Sequence, residues 1–193
     1  MNLYIASMRD RIPSDAIAVN TTSSSTSRWS KGLSPFFCGP CELYGGYTSK
    51  NVENLWQFSK LYAKYTDSNG NPTSEYFEWA QKGWNDTFAH RYPMGKGAKP
   101  LCAYWDGIKL NYIEARKQIY IPFYAEAVVK TEAYQKLKKL YYECELTDIY
   151  LQDFDGYDHK LLKMTYEDVI NEPNRKMGHA FVLGMLLEGY LKV

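Results

Sequence analysis

Residues 51–65 read NVENLWQFSKLYAKY. At about 100° per residue, Glu53, Gln57, Lys60 and Lys64 fall in one stripe about 60° wide. Val52, Leu55, Trp56, Phe58, Leu61, Tyr62 and Tyr65 cover most of the remaining circumference. A helix apolar over so much of its surface is buried on several sides. Its polar stripe then faces either open solvent or a cleft. It is the best-defined helix in the first half of the chain.

The other elements are mostly helical. Asn71-Pro72 opens a second helix, roughly 73–89, with Tyr76, Phe77, Ala80 and Trp84 on one face. Residues 110–120 are helical up to Pro122, which starts a longer helix to about residue 142. Lys136, Lys138 and Lys139 near its end suit the helix dipole. Thr165 and Asp168 have capping-box spacing for a short helix. Residues 175–192 form the last helix, where Gly178 and Gly184 allow another backbone to come close. Short strands are expected at 2–6 and 16–21, split by a turn at Pro13-Ser14-Asp15, and at 147–154, where residues alternate. The expected fold class is α+β: one mainly helical domain over residues 1–193 with a few short strands. Residues 1–30 hold the N-terminal strands and a Ser/Thr-rich loop, and residues 31–193 the core.

The chain has 193 residues, 23 Lys+Arg against 22 Asp+Glu, and a net charge of +1. That balance excludes a strongly cationic nucleic-acid coat and an acidic tail, but not a local basic groove. No apolar run reaches the roughly 18 residues of a membrane span. The start shows no secretion signal, so a cytoplasmic address and no membrane partner are expected. Aromatic residues make up 16%, with 18 Tyr, 8 Phe and 5 Trp. Tyrosine, with a flat apolar face and a polar tip, suits both a core and the wall of a site for a flat ligand.

Several familiar motifs are incomplete. Cys38-Gly39-Pro40-Cys41 is a dithiol box of the thioredoxin type. Its chemistry needs a helix after the second cysteine to lower a thiol pKa. Gly45-Gly46 breaks any such helix, so a dithiol protein ranks third among the functional readings. Zinc would need two more ligands at motif spacing, and Cys102, Cys144, His90, His159 and His179 are scattered singly. Calcium would need a twelve-residue loop ending in Glu, which the acidic stretch 153–158 lacks. The basic loop 91–100 lacks the end of a P-loop, and no dinucleotide fingerprint is present. No metal and no cofactor are therefore expected.

Read in order, several segments resemble the NADAR superfamily, small mainly helical α+β proteins that process ADP-ribose-like N-glycosides. Leu33-Ser34-Pro35-Phe36, the Tyr44-Gly45 turn and Glu53-x-x-x-Gln57-x-x-Lys60 match its opening motifs. Trp105, Lys130, the acidic run Asp153 to Asp158 and Gly178 to Leu187 look like its later parts. The similarity covers most of residues 17–189 in patches. Asn54 stands where the family usually has His, Gly178-His179-Ala180-Phe181 lacks the family's Asn, and Tyr157 with Asp158-His159 replaces a Trp-Gly pair. The chain looks like a divergent branch.

Cleaving an N-glycosidic bond builds positive charge at the anomeric carbon, and the base must be protonated as it leaves. The resemblance implies that Lys60 attacks that carbon and forms an imine with the opened sugar. On a continuous helix Glu53 and Lys60 would lie about 10 Å apart along the axis. Gln57 between them would hold a ribose hydroxyl or a base edge. Lys64, one turn on, would depress the pKa of Lys60. Asp155 is the candidate second acid or base. Candidate ligand-binding residues are Asn20, Arg28 with the hydroxyl loop for phosphates, Ser34, Trp105 for stacking, Asp153, Asp158 and His179. The implied activity is hydrolysis of the bond to an ADP-ribosylated base or a ribosylated nucleotide metabolite. Reversal of toxin-made ADP-ribosylation of nucleic acid, in a phage or defence setting, is what the family suggests. The alternative is a non-catalytic protein that sequesters an NAD-derived nucleotide. Either way the expected partner is a molecule containing ADP-ribose, free or on nucleic acid.

Overall fold

The computed structural model of the chain describes residues 2–144 and 146–193. Its elements in order are β1 (Leu3–Ser7), β2 (Ile17–Asn20), α1 (Arg28–Lys31), β3 (Cys41–Glu42), β4 (Thr48–Ser49), α2 (Val52–Phe58), β5 (Lys60–Leu61), α3 (Ser74–Asn85), β6 (Cys102–Trp105), β7 (Ile108–Leu110), α4 (Tyr112–Ala115), α5 (Ile121–Val128), α6 (Glu132–Glu143), β8 (Ile149–Asp153), α7 (Tyr166–Asn171) and α8 (His179–Leu187). The class is α+β: helices and short strands in three small sheets. Among the described residues no helix is long and apolar enough to cross a membrane. The residues cluster into two units, one from both ends of the chain (1–38 and 124–193) and one from its middle (39–123).

The first unit is built on a parallel sheet of order β1-β8-β2. Leu3 pairs with Ile149, Ile5 with Leu151, and Val19 with Leu151. Because strand side chains alternate, these residues share one buried face, and α8 packs on it. Helix α8 is apolar all round, which is why nearly all of it is buried. The same alternation puts Asp153, last in β8, on the core face. Gly184 is approached by the Tyr166 hydroxyl, 2.6 Å from where a Cβ would stand, and Gly178 by the Asp153 carboxylate. The close neighbours of both glycines are thus side chains rather than the backbone expected. The Thr165 capping box forms as read, with Thr165 and Asp168 each bonding the other's backbone N–H.

His159 belongs to this unit's core. It is 3% exposed, its ring stacks on Tyr166 with centroids 4.9 Å apart, and its Nδ1 has no hydrogen-bond partner. Burial first, then the neighbouring Lys160 charge, holds its pKa below the ordinary imidazole value of 6.5. The unfolded chain therefore takes up this proton before the folded one does. The stability His159 supports is fully present above about pH 6.5 and is lost as pH falls below it. Urea midpoints taken near pH 7.5 and pH 5.5 are expected to drop less for His159→Phe than for wild type.

In the second unit the central helix is shorter than expected. It ends at Phe58, and Lys60 starts a strand. The reason lies in distant residues. The Tyr76 hydroxyl donates to the carbonyls of Phe58 and Ser59 at 3.4 and 3.2 Å, and the Tyr104 amide donates to Ser59 at 2.8 Å. Those carbonyls are taken before another helical turn can use them. Helix α3 lies close against α2: a Cβ at Gly83 would enter the Phe58 ring. An antiparallel sheet of order β5-β6-β7 follows, with a two-residue turn at Asp106-Gly107 whose φ values of 46° and 83° match the twist of a tight hairpin.

The expected break at Pro122 is absent. The chain is helical from Tyr112 to Val128, passing through a π turn at Arg116–Tyr120. The wider turn lets the helix continue past a ring that would otherwise clash with the carbonyl four residues back. The break comes instead at Thr131. Its hydroxyl donates to Val128 O at 2.7 Å, closing α5, and accepts from Tyr134 N at 3.1 Å, opening α6. Helices α3 and α8 are also shorter at both ends than 73–89 and 175–192.

Candidate functional site

Asn51 caps α2 by accepting from Asn54 N at 2.8 Å, which places Glu53 in the first turn and Gln57 one turn on. The Gln57 amide donates to Glu53 Oε1 at 2.9 Å, and Lys60 Nζ donates to Gln57 Oε1 at 2.8 Å. The chemistry of the two ends fixes the amide orientation. The carboxyl takes the NH2 and the amine takes the carbonyl; the reverse would set donor against donor. Glu53 is 8% and Gln57 9% exposed, so the first two members of the expected polar stripe are buried. Lys60 is half-buried, its Nζ 5.1 Å from the centre of the Trp56 ring.

Lys60 and Lys64 lie outside the helix, which corrects the expected alignment of four polar residues. The two-turn spacing of Glu53 and Lys60 along one axis does not occur. Lys64 sits in a separate short turn, Ala63–Tyr65, with its Nζ over the Tyr65 ring. The placing of Lys60 in β5 has another result. Lys60 pairs with Ala103, so Ala103 and Trp105 share its face of the small sheet. Trp105 meets Tyr44 edge-on at 4.9 Å and Phe123 at 5.3 Å. Glu53, Gln57, Lys60 and Trp105 thus lie in one unit, three of them in one hydrogen-bonded row.

Asn54 plays a part that sequence reasoning missed. Fully buried next to Glu53, it donates to the carbonyls of Asp86 at 3.0 Å and Phe88 at 2.8 Å, and accepts from His90 N at 2.8 Å. It holds the chain leaving α3. Asn54→Ala is expected to cost about 2–4 kcal/mol, because three backbone groups lose their partner. Amide exchange at His90 would rise along with a lower thermal midpoint.

In the first unit, Asp153 and His179 come together. His179 Nδ1 lies 2.9 Å from Asp153 Oδ2, and its Nε2 lies 2.8 Å from the Thr21 carbonyl. Both nitrogens face acceptors, so the ring donates at both ends and is an imidazolium. Ala180 N also donates to Asp153 Oδ2, at 3.1 Å. Burial pushes the Asp153 carboxyl up. The His179 charge and hydrogen bond, with the Ala180 amide, outweigh this and hold it below the usual carboxylate range. Both side chains are committed to this buried pair.

The remaining candidates stand in the first unit. Asn20 ends β2, and its side-chain Oδ1 accepts from Thr22 N at 2.9 Å and Thr22 Oγ1 at 2.7 Å. The hydroxyl loop bonds largely to itself: Thr22 to Ser24 at 2.7 Å, and Ser25 to Ser30 at 2.9 Å. Arg28 opens α1 and is exposed, and Ser34 is buried with its Oγ accepting from Phe36 N at 3.3 Å. Asp155 is half-buried in the loop after β8, and Asp158 accepts from Leu161 N at 2.9 Å. The Cys38 thiol donates to Gly32 O at 3.5 Å. Cys41 begins the two-residue strand β3, and the single tight turn Tyr44–Gly46 follows instead of an α-helix. Among the described residues no three His, Cys, Asp or Glu side chains gather as metal ligands.

A family model matches residues 2–182. The chain belongs to the family of unknown function DUF6939. No curated protein and no solved structure matches it. The DUF6939 match spans both units, so the Glu53–Gln57–Lys60 row and the Asp153–His179 pair both lie inside the family region.

Proposed function

We propose that this chain is an N-glycosidase that hydrolyses the bond between ribose and a nitrogenous base in an ADP-ribosylated or ribosylated substrate. The observation that carries the reading is the row Glu53–Gln57–Lys60: a buried carboxyl, an oriented amide and a half-buried amine in hydrogen-bond contact. The NADAR resemblance of the same three positions supports it, as does Trp105 on the face of Lys60.

In this reading Gln57 aims Nζ, which first gives one proton to water and then attacks C1′ of the sugar as the neutral amine; that proton returns when the amine is released. The C1′–N bond breaks, its electron pair going to the base, which takes the proton that the attacking nitrogen gives up. Opening of the ribose ring moves a second proton from nitrogen to the ring oxygen and leaves an imine. Water adds across the C=N bond, the amine returns, and the sugar closes as a hemiacetal. The net reaction adds one water and needs no cofactor. Glu53 opposes the positive charge that builds at C1′, and Trp105 stacks on the leaving base. A cytoplasmic address suits a substrate derived from NAD.

The experiment is to incubate the protein with ADP-ribosylated guanosine and with a ribosylaminopyrimidine phosphate, and to follow base release by chromatography. Release from either substrate at a rate proportional to enzyme supports the reading. Release from neither removes it.

A further inference from the structure

The basic loop between α3 and β6 is a second feature of the middle unit. From Thr87 to Leu101 the sequence has no Asp or Glu, and it carries Arg91, Lys96 and Lys99. Large apolar groups stand out from it: Phe88 is 77% exposed, Leu101 61% and Tyr92 48%. Phe88 and Tyr92 thus offer ring surface to water on a segment without acids.

The loop is held at both ends by the segment that carries the candidate site. Asn54, next to Glu53, binds Asp86, Phe88 and His90 at its start. Leu101 N donates to Leu61 O, next to Lys60, at 2.8 Å at its end. Between these anchors the chain turns at Tyr92–Gly95 and Gly95–Ala98, with hydrogen bonds of 3.0 and 3.2 Å. Gly95 and Gly97 have φ of 91° and 89° with open space around them, and exposed Lys96 lies between them with exposed Lys99 two residues on. Exposed cations and exposed rings on one loop complement a ligand with a regular negative backbone and accessible flat bases. A duplex offers the first but stacks away the second.

We propose that the loop 87–101 is a binding surface for single-stranded nucleic acid, with Lys96 and Lys99 against phosphates and Phe88 and Tyr92 against bases. The assignment does not depend on the chemistry proposed for Lys60.

The test is fluorescence anisotropy with a labelled oligothymidylate of about 20 nucleotides at two salt concentrations. The comparison is among wild type, Lys96→Ala/Lys99→Ala and Phe88→Ala/Tyr92→Ala. All four side chains are exposed, so the variants are expected to melt as wild type does. Wild type should bind, and more weakly as salt rises. Losing two phosphate contacts should flatten the log–log salt slope by about 1.4. The aromatic variant should bind roughly tenfold or more weakly with the slope unchanged. No binding by wild type at about 50 mM salt overturns the proposal. So does equal affinity in both variants, or equal competition by duplex of the same length. Cosedimentation with vesicles of anionic lipid, without strand binding, would assign the loop to a membrane surface instead and equally overturns it.

Discussion

Asp153→Ala is expected to lower stability by about 3–5 kcal/mol, because it leaves the buried imidazolium of His179 without its counter-ion. For a chain of this size that is a drop of about 6–20 °C in the thermal midpoint. Asp153 is 4% exposed and accepts from both His179 Nδ1 and Ala180 N, so water cannot readily replace it. Asp153→Ala/His179→Phe should cost less than Asp153→Ala, since the double variant buries no charge. If the two lose the same amount, the pair is not ionic. The pH dependence has a definite sign. The folded pKa lies below the ordinary carboxylate value of 3.8, so the stability Asp153 supports is fully present above about pH 3.8 and is lost as pH falls through the folded value. Acid unfolding of the variant should therefore begin less abruptly than that of wild type.

The second large effect concerns activity. Under the proposed reaction, Lys60→Ala is expected to lower kcat/KM for base release by about 10³-fold or more, because it removes the proposed nucleophile. Lys60→Arg separates nucleophile from charge: a guanidinium keeps the cation over Trp56 but cannot form an imine. It should be as inactive as Lys60→Ala. Substantial activity in Lys60→Arg would mean that the position serves as a cation. Gln57→Ala leaves the amine in place but removes its aim. It should lower kcat with little change in KM, by about 10²-fold, as for a displaced catalytic group. Lys60 is half-buried at the start of a strand, so both Lys60 variants are expected to fold.

What the sequence could convey follows from the range of each interaction. The alternation at Ile149–Asp153 and the Thr165–Asp168 box act over two or three residues, and both were readable. The helix at 52–58 was readable at its start, where Asn51 and Glu53 supply local signals. Its end was not, because Tyr76 and Tyr104 capture its carbonyls from other elements. That one misplaced boundary moved Lys60 from a helix to a strand. Asn54 was seen only as a departure from a family pattern, because its partners lie 32, 34 and 36 residues away. Asp106-Gly107 is a local turn signal, a hairpin dipeptide between two short strands. Asp153 and His179 were each singled out as ligand residues, yet their pairing depends on where β8 ends and α8 begins. Pro122 shows local chemistry overruled by a π turn just before it.

The most direct test of the proposed reaction is to trap its covalent intermediate. The protein would be mixed with ADP-ribosylated guanosine in the presence of cyanoborohydride, which reduces an imine to a stable amine, and then digested for peptide mass analysis. The expected result is an ADP-ribosyl adduct on Lys60, formed in step with base release and absent from Lys60→Ala. Release of base with no adduct on Lys60, or adducts spread evenly over the surface lysines, would contradict an imine at this residue.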